Sequence, residues 1–338
     1  MSRRPNRIIT FDAERWKRNA VFGVLVVIAT AASSQVWGKT LEQRPPRTTV
    51  WIDTKGNQLF DMGERKLAAA HGEDWKYSEG LFAVADLTRN KWGYINIMGD
   101  WVIGPRFSGT HNFSDGLALV QAGDQYVYID KTGQTVLALP AGVDYDFFGD
   151  EYNYFHEGLA LVHRKRRPEY VDKEGKVSIK LGPEVEYASK FSEGLARIKV
   201  GGKWGFIDRT GAVVIEPQFE HVLDFSDGLA RVTRGSSDGY IDRTGAMVIE
   251  LQPYDIAGSF FDGLAIARRG GVWWYMDKKG TQALDVEAED AHVFSGGLAA
   301  VQMGGKWGYI NTSGQIVIRP QFTSAGEFAD GVAVVTLD

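Results

Sequence analysis

The stretch Phe191-Ser192-Glu193-Gly194-Leu195-Ala196-Arg197-Ile198-Lys199-Val200-Gly201-Gly202-Lys203-Trp204-Gly205-Phe206-Ile207-Asp208-Arg209-Thr210-Gly211 holds both motifs from which most of the chain is built. Its first half, Phe-Ser-Asp/Glu-Gly-Leu-Ala, recurs with its glycine at Gly80, Gly116, Gly158, Gly194, Gly228, Gly263, Gly297 and Gly331. Its second half, Lys-Trp-Gly-Tyr/Phe-Ile-Asp-x-x-Gly, recurs with closing glycines Gly56, Gly99, Gly133, Gly175, Gly211, Gly245, Gly280 and Gly314. There are eight of each, and six of the seven steps from a first-motif glycine to the next closing glycine are 17 residues. The most regular repeats are 34 residues long, the period of a stacked array of supersecondary units.

The residue types explain why each position recurs. Before the closing glycine stands an aromatic residue (Trp51, Tyr94, Tyr128, Tyr170, Phe206, Tyr240, Tyr275, Tyr309), followed by Ile52, Ile95, Ile129, Val171, Ile207, Ile241, Met276 or Ile310. Neighbours on a strand point to opposite faces, so this strand is apolar on both faces and its sheet must be covered on both sides. The Asp or Asn three before the glycine caps a type I turn, and the glycine supplies positive φ at a bulge. Each repeat then reads as strand A (Leu229 to Val232), strand B (Tyr240 to Asp242) and strand C (Met247 to Ile249). A link such as Glu216-Pro217-Gln218-Phe219 leads to the next unit, with room for a short fourth strand.

The repeat is split between the two ends. The body opens on strands B and C (Val50 to Asp53, Gln58 to Phe60) and ends on strand A alone (Phe328 to Val335). The reading is an all-β chain of eight antiparallel β-meander repeats forming a closed eight-bladed β-propeller, with Val332 to Val335 pairing beside Trp51 and Ile52. An open β-solenoid, its end strands left as edges, is the alternative.

Lys91-Trp92-Gly93-Tyr94, Lys203-Trp204-Gly205-Phe206 and Lys306-Trp307-Gly308-Tyr309 resemble the WG-repeat family of bacterial proteins, and the resemblance covers about residues 48–338. Trp gives way to Tyr126, Pro168 and Asp238, and Gly to Val127, Glu169 and Trp274. The resemblance implies an exported or surface-associated repeat protein and brings no catalytic residues with it.

The chain has no cysteine, which excludes a disulfide framework, a thiol nucleophile, a Cys-ligated zinc site and a lipid anchor on Cys. The net charge is -5. Within residues 1–19, Arg3, Arg4, Arg7, Arg15, Lys17 and Arg18 stand against Asp12 and Glu14, giving +4 there and -9 for the remainder. A body of that charge argues against nucleic acid as a partner.

Residues 1–38 read as a basic cytoplasmic stretch followed by a signal peptide or membrane anchor, and residues 39–338 as the repeat domain. Ala20 to Ala32 is a run of 13 uncharged residues, the length of a signal-peptide core rather than of a full span. Ala29-x-Ala31 and Ala31-x-Ser33 offer cleavage sites. If uncleaved, the helix extends through Trp37 and Gly38 and anchors the body to the membrane with its basic side in the cytoplasm. Either way a periplasmic or extracellular body is expected.

Three deviations from the repeat are candidate binding places. The stretch after Gly133 is eight residues longer than the usual 17 and contains Asp144, Tyr145, Asp146, Phe148, Asp150, Tyr152 and Tyr154. Acids interleaved with aromatics suit sugar stacking or Ca²⁺ held through oxygens, although the spacing departs from the Ca²⁺ loop that ends in a bidentate Glu and a loop packing its own aromatics accounts for the same residues. His163-Arg164-Lys165-Arg166-Arg167 occupies the A-to-B hairpin, suiting an anionic glycan, a lipid headgroup or an acidic partner as well as a merely solvated tip. Trp273-Trp274 places Trp at the Gly position, as core filling or as a carbohydrate platform. No histidine pair has metal-ligand spacing, no nucleophile or phosphate-loop motif occurs, and no cofactor is expected. The expected function is a non-catalytic scaffold in the bacterial envelope that binds a protein or an envelope polysaccharide. The alternative is a glycan-active enzyme using carboxylates of residues 144–151.

Overall fold

The computed structural model describes residues 49–61, 65–69, 77–139, 143–144, 154–165 and 167–337. The expected signal or anchor segment lies outside the described residues, which all belong to one compact unit, Pro45–Asp338. No helix occurs among the described residues.

Eight antiparallel sheets follow one another, and each presents four strand positions in the order inner strand, A, B, C. The fifth sheet in chain order is typical, with Val185–Ser192, Leu195–Val200, Lys203–Asp208 and Val213–Phe219. The sheet that closes the ring takes Ser324–Ala325 and Val332–Thr336 from the C-terminus and Thr49–Asp53 and Gln58–Asp61 from the N-terminal side. Trp51 pairs with Val334 and Ile52 with Ala333. The chain is thus an eight-bladed β-propeller, and the split repeat is its closure. A fourth strand is present, but not in the expected link: Glu216 to Phe219 extend strand C, and the fourth strand is the next blade's inner strand, His221–Val222. We number the closing blade 1 and the rest 2 to 8 in chain order.

Strand B is covered on both faces, as its sequence requires. In blade 5, Phe206 packs with Phe219, Phe225 and Val232 towards blade 6, while Ile207 packs with Leu159, Leu161 and Tyr170 of blade 4. The ring pairs Phe206–Phe225, Tyr240–Phe260, Tyr275–Phe294 and Tyr309–Phe328 cross successive seams with centroids 4.7 to 4.9 Å apart. Each such pair contributes ~0.5–1.5 kcal/mol beyond its area burial. The tyrosine hydroxyls also serve the seams: those of Tyr240, Tyr275 and Tyr309 donate to the carbonyls of Gly258, His292 and Gly326 in the next blade. Burial pushes all three phenols upward, so they remain neutral donors.

The two motifs form two kinds of turn at one end of the ring. Asp208 and Gly211 close the expected type I turn with a bulge. Gly211 N–H donates to Asp208 O at 2.9 Å, and the register shifts between Phe206 and Ile207. The Asp208 carboxylate accepts from Thr210 Oγ1 at 2.6 Å and from two backbone N–H groups, and the Thr210 bond leads in lowering its pKa. The Ser192-Glu193-Gly194-Leu195 turn is a two-residue hairpin with φ of 52° at Glu193 and 79° at Gly194, the type I′ signature.

Glu193 holds this left-handed conformation with its carboxylate on Gly228 N–H of blade 6, at 2.9 Å. Ser192 Oγ donates to Phe225 O at 2.7 Å. The same carboxylate-to-glycine clasp joins Glu79 to Gly116, Asp115 to Gly158, Glu157 to Gly194, Asp227 to Gly263 and Asp262 to Gly297. Blades fanned about an axis are closest together near it, so directly bonded turns place the inner strands at the axis and strand C at the rim.

Candidate interaction surface

Because the four strands run up and down, one face of the ring carries the inner-to-A and B-to-C turns just described. The opposite face carries the A-to-B hairpins and the links from strand C to the next blade. The first is nearly uniform around the ring. The second carries the basic hairpin of blade 4 and the start of strand B in blade 7, with Trp273 and Trp274.

In blade 4 the structure brings two of the three sequence deviations together. Val143–Asp144 forms a strand that pairs with strand A, Val143 opposite Arg164 and Asp144 opposite His163. The described start of the insertion, Asp144, thus stands beside the basic hairpin. Tyr145, Asp146, Phe148, Asp150, Tyr152 and Arg166 lie outside the described residues. Arg164 is committed inward, its Nε 2.6 Å from Oε1 of the buried Glu169. Lys165 and Arg167 are exposed at the tip. Tyr154 is half-buried near the axis, and its hydroxyl is 2.7 Å from His111 Nδ1.

Blades 5 to 8 treat the hairpin differently. There an acid at the start of the inner strand, or just before it, accepts a glycine N–H of the tip: Glu186 from Gly202, Glu220 from Gly235, Asp255 from Gly271 and Glu289 from Gly305. In blade 4, Val143 stands opposite the last residue of strand A, as Val185 does in blade 5, where the acid is the next residue.

The third deviation, in blade 7, separates its two tryptophans. Trp273 is 7% exposed, packs with Val286, Ala291 and Phe294, and donates from Nε1 to Glu289 O at 3.3 Å. The Arg268 guanidinium lies 5.2 Å from its ring centre. Trp274 points to the other side, half-buried, with Tyr254 at 6.1 Å. Each lines a groove. Trp273, Val272, Asp285, Val286, Glu287, Ala288, Glu289 and Met303 enclose about 580 Å³ between blades 7 and 8. Trp274, Tyr254, Arg269, Lys279, Glu250 and Val248 line about 410 Å³ between blades 6 and 7. The sequence reading had the two tryptophans but not Val272, Met303 and the three acids. The missing signal was the absence, in Ala283-Leu284-Asp285-Val286-Glu287-Ala288-Glu289, of the Pro-x-Phe seen at Pro217-Gln218-Phe219.

The Trp-Gly pair itself is packing. A Cβ on Gly205 would stand 2.4 Å from Ile215 O, and Gly93 and Gly308 are placed alike against Ile103 O and Ile318 O. Trp204 lies against Tyr187 at 5.2 Å. Residues 92–126, 170–204, 204–236, 239–273, 275–307 and 307–338 each match the family described as WG containing repeat, together more than half of the chain. The chain belongs to the WG-repeat family. No curated protein matches it. Among solved structures, this WG-repeat ring is similar to apo AztD from Citrobacter koseri, at 11% identity over 86% of this chain and 98% of that one, TM-score 0.46. It is also similar to a eukaryotic initiation factor, at 13% identity over 70% of this chain and 73% of that one, TM-score 0.47. Kluyveromyces lactis Hsv2 with a replaced loop is similar at 11% identity over 65% of this chain and 85% of that one, TM-score 0.42.

Proposed function

We propose that this WG-repeat protein is a non-catalytic interaction scaffold of the bacterial envelope, binding a protein partner or an envelope polysaccharide through its hairpin face. The observation that carries the reading is where the variation falls. The repeated positions are spent on turns, seams and cores, whereas copies that break the Trp-Gly pattern line grooves beside blade 7 and carry the basic hairpin of blade 4. The repeated Asp carboxylates are occupied by their own turns, which argues against reading them as acid and base. The expected envelope location rests on residues 1–38, as signal or as anchor, and on what the family resemblance implies.

The test is affinity capture from an envelope extract with the full-length chain as bait. A scaffold retains a defined protein or glycan on the native chain and loses it when hairpin-face residues are changed. Capture of neither overturns the reading.

A further inference from the structure

We propose that the groove between blades 7 and 8 binds a short peptide segment of a partner protein that carries Lys or Arg beside an apolar side chain. This rests on the scaffold reading and names the partner's chemistry.

The groove follows from one departure in the repeat. In blade 5, strand C runs through Phe219, which pairs with Trp204. In blade 7, Trp274 occupies the glycine position, strand C ends at Asp285, and Trp274 pairs with Asp285 in regular register. Nothing equivalent to Phe219 follows. The link turns through Val286 and Ala288, with Ala288 N–H on Val286 O at 2.8 Å. An open groove of about 580 Å³ is left between the blades.

The lining selects the occupant. Trp273, Val286, Ala288 and Met303 make an apolar floor, and Val272 at its edge is 60% exposed, a large aliphatic left in water at a groove mouth. Asp285, Glu287 and Glu289 form the rim. Glu289 gives Oε2 to Gly305 N–H, and Asp285 accepts from Gln282, while Glu287 is exposed. Arg268 is held against the Trp273 ring. Three carboxylates around an apolar floor repel an anionic polysaccharide and offer a neutral one no charge match. An ammonium or guanidinium gains at the rim while its apolar neighbour fills the floor.

The test uses the full-length protein and a fluorescently labelled Lys-Leu-Lys-Leu-Lys-Leu peptide, read by anisotropy, with Glu-Leu-Glu-Leu-Glu-Leu and a neutral chitin oligosaccharide as comparisons. Binding of the lysine peptide alone is expected. D285N combined with E287Q should weaken it about tenfold, whereas E174Q with E216Q, an equal charge change on exposed residues elsewhere, should leave it within about twofold. Equal weakening by both pairs, no lysine-peptide binding, or preference for the oligosaccharide overturns the proposal. Capture from envelope extract separates the two readings. A partner retained equally by native and D285N/E287Q bait removes this groove and keeps the scaffold, whereas peptide binding without any captured partner keeps the groove and removes the scaffold.

Discussion

Blades 5 and 7 differ in the second residue of the Trp-Gly pair, Gly205 against Trp274, and their rims differ too. In blade 5, Phe206 pairs with Ile215 and Trp204 with Phe219, so four residues of strand C span two of strand B. That crowding requires a residue without Cβ at 205. In blade 7, Tyr275 pairs with Leu284 and Trp274 with Asp285, one residue for one. The glycine is what lets strand C fold back over its own blade. In blade 7, where Trp274 replaces it, strand C stops at Asp285 and a groove lies beside it.

Gly205→Val is expected to have the largest effect. The new side chain meets backbone atoms of Ile215, Glu216 and Pro217 within 3 Å, which only movement of strand C relieves. A loss of about 3 kcal/mol is expected, read as a lower urea midpoint. Trp274→Val, at a position already built for a Cβ, should cost less, about 2 kcal/mol for the lost packing on Tyr254. Equal costs would show that Gly205 has no special place.

How far the sequence reaches can be stated from the same two blades. Strands A, B and C, the type I turn at Asp208–Gly211 and the ring closure at Trp51 and Val334 were all legible, because each depends on local residue type or on the phase of the repeat. The clasp from Glu193 to Gly228 was not: its partners are 35 residues apart, and Asp-Gly or Glu-Gly announces a hairpin without saying what its carboxylate reaches. The grooves were half legible. Trp273 and Trp274 stood out, but Met303 and Glu287 belong to it only because blade 8 packs there.

A smaller effect tests the seams. Tyr240→Phe leaves the Gly258 carbonyl without the hydroxyl that donates to it at 2.7 Å, at a cost of about 1 kcal/mol. Blade 5 carries the reverse case, since Phe206 stands at the tyrosine position and Leu223 at that of Gly258. Phe206→Tyr should recover part of the same amount if Leu223 O accepts the new hydroxyl. Chemical denaturation of both variants checks the pair.

The smallest effect depends on pH and compares the turn of blade 4 with that of blade 5. Ser192 donates to Phe225 O at 2.7 Å, but in blade 4 His156 stands in the serine's place, with Nδ1 3.4 Å from Ser114 Oγ. Burial, reinforced by Lys190 and opposed by Asp115, lowers the imidazole from 6.5 to about 4. Between those values the unfolded chain takes up a proton that the folded ring resists, so stability falls as pH drops from about 6.5 to about 4 and this contribution is flat on either side. His156→Ser removes the titrating group and places a donor facing Phe191 O. Relative to the native chain, the variant should therefore gain on the order of 1 kcal/mol on going from pH 7 to pH 5, measured as the change in urea midpoint. An unchanged difference between the two pH values would mean that His156 titrates normally in the fold, and that its turn is as open to water as the turns around it are closed.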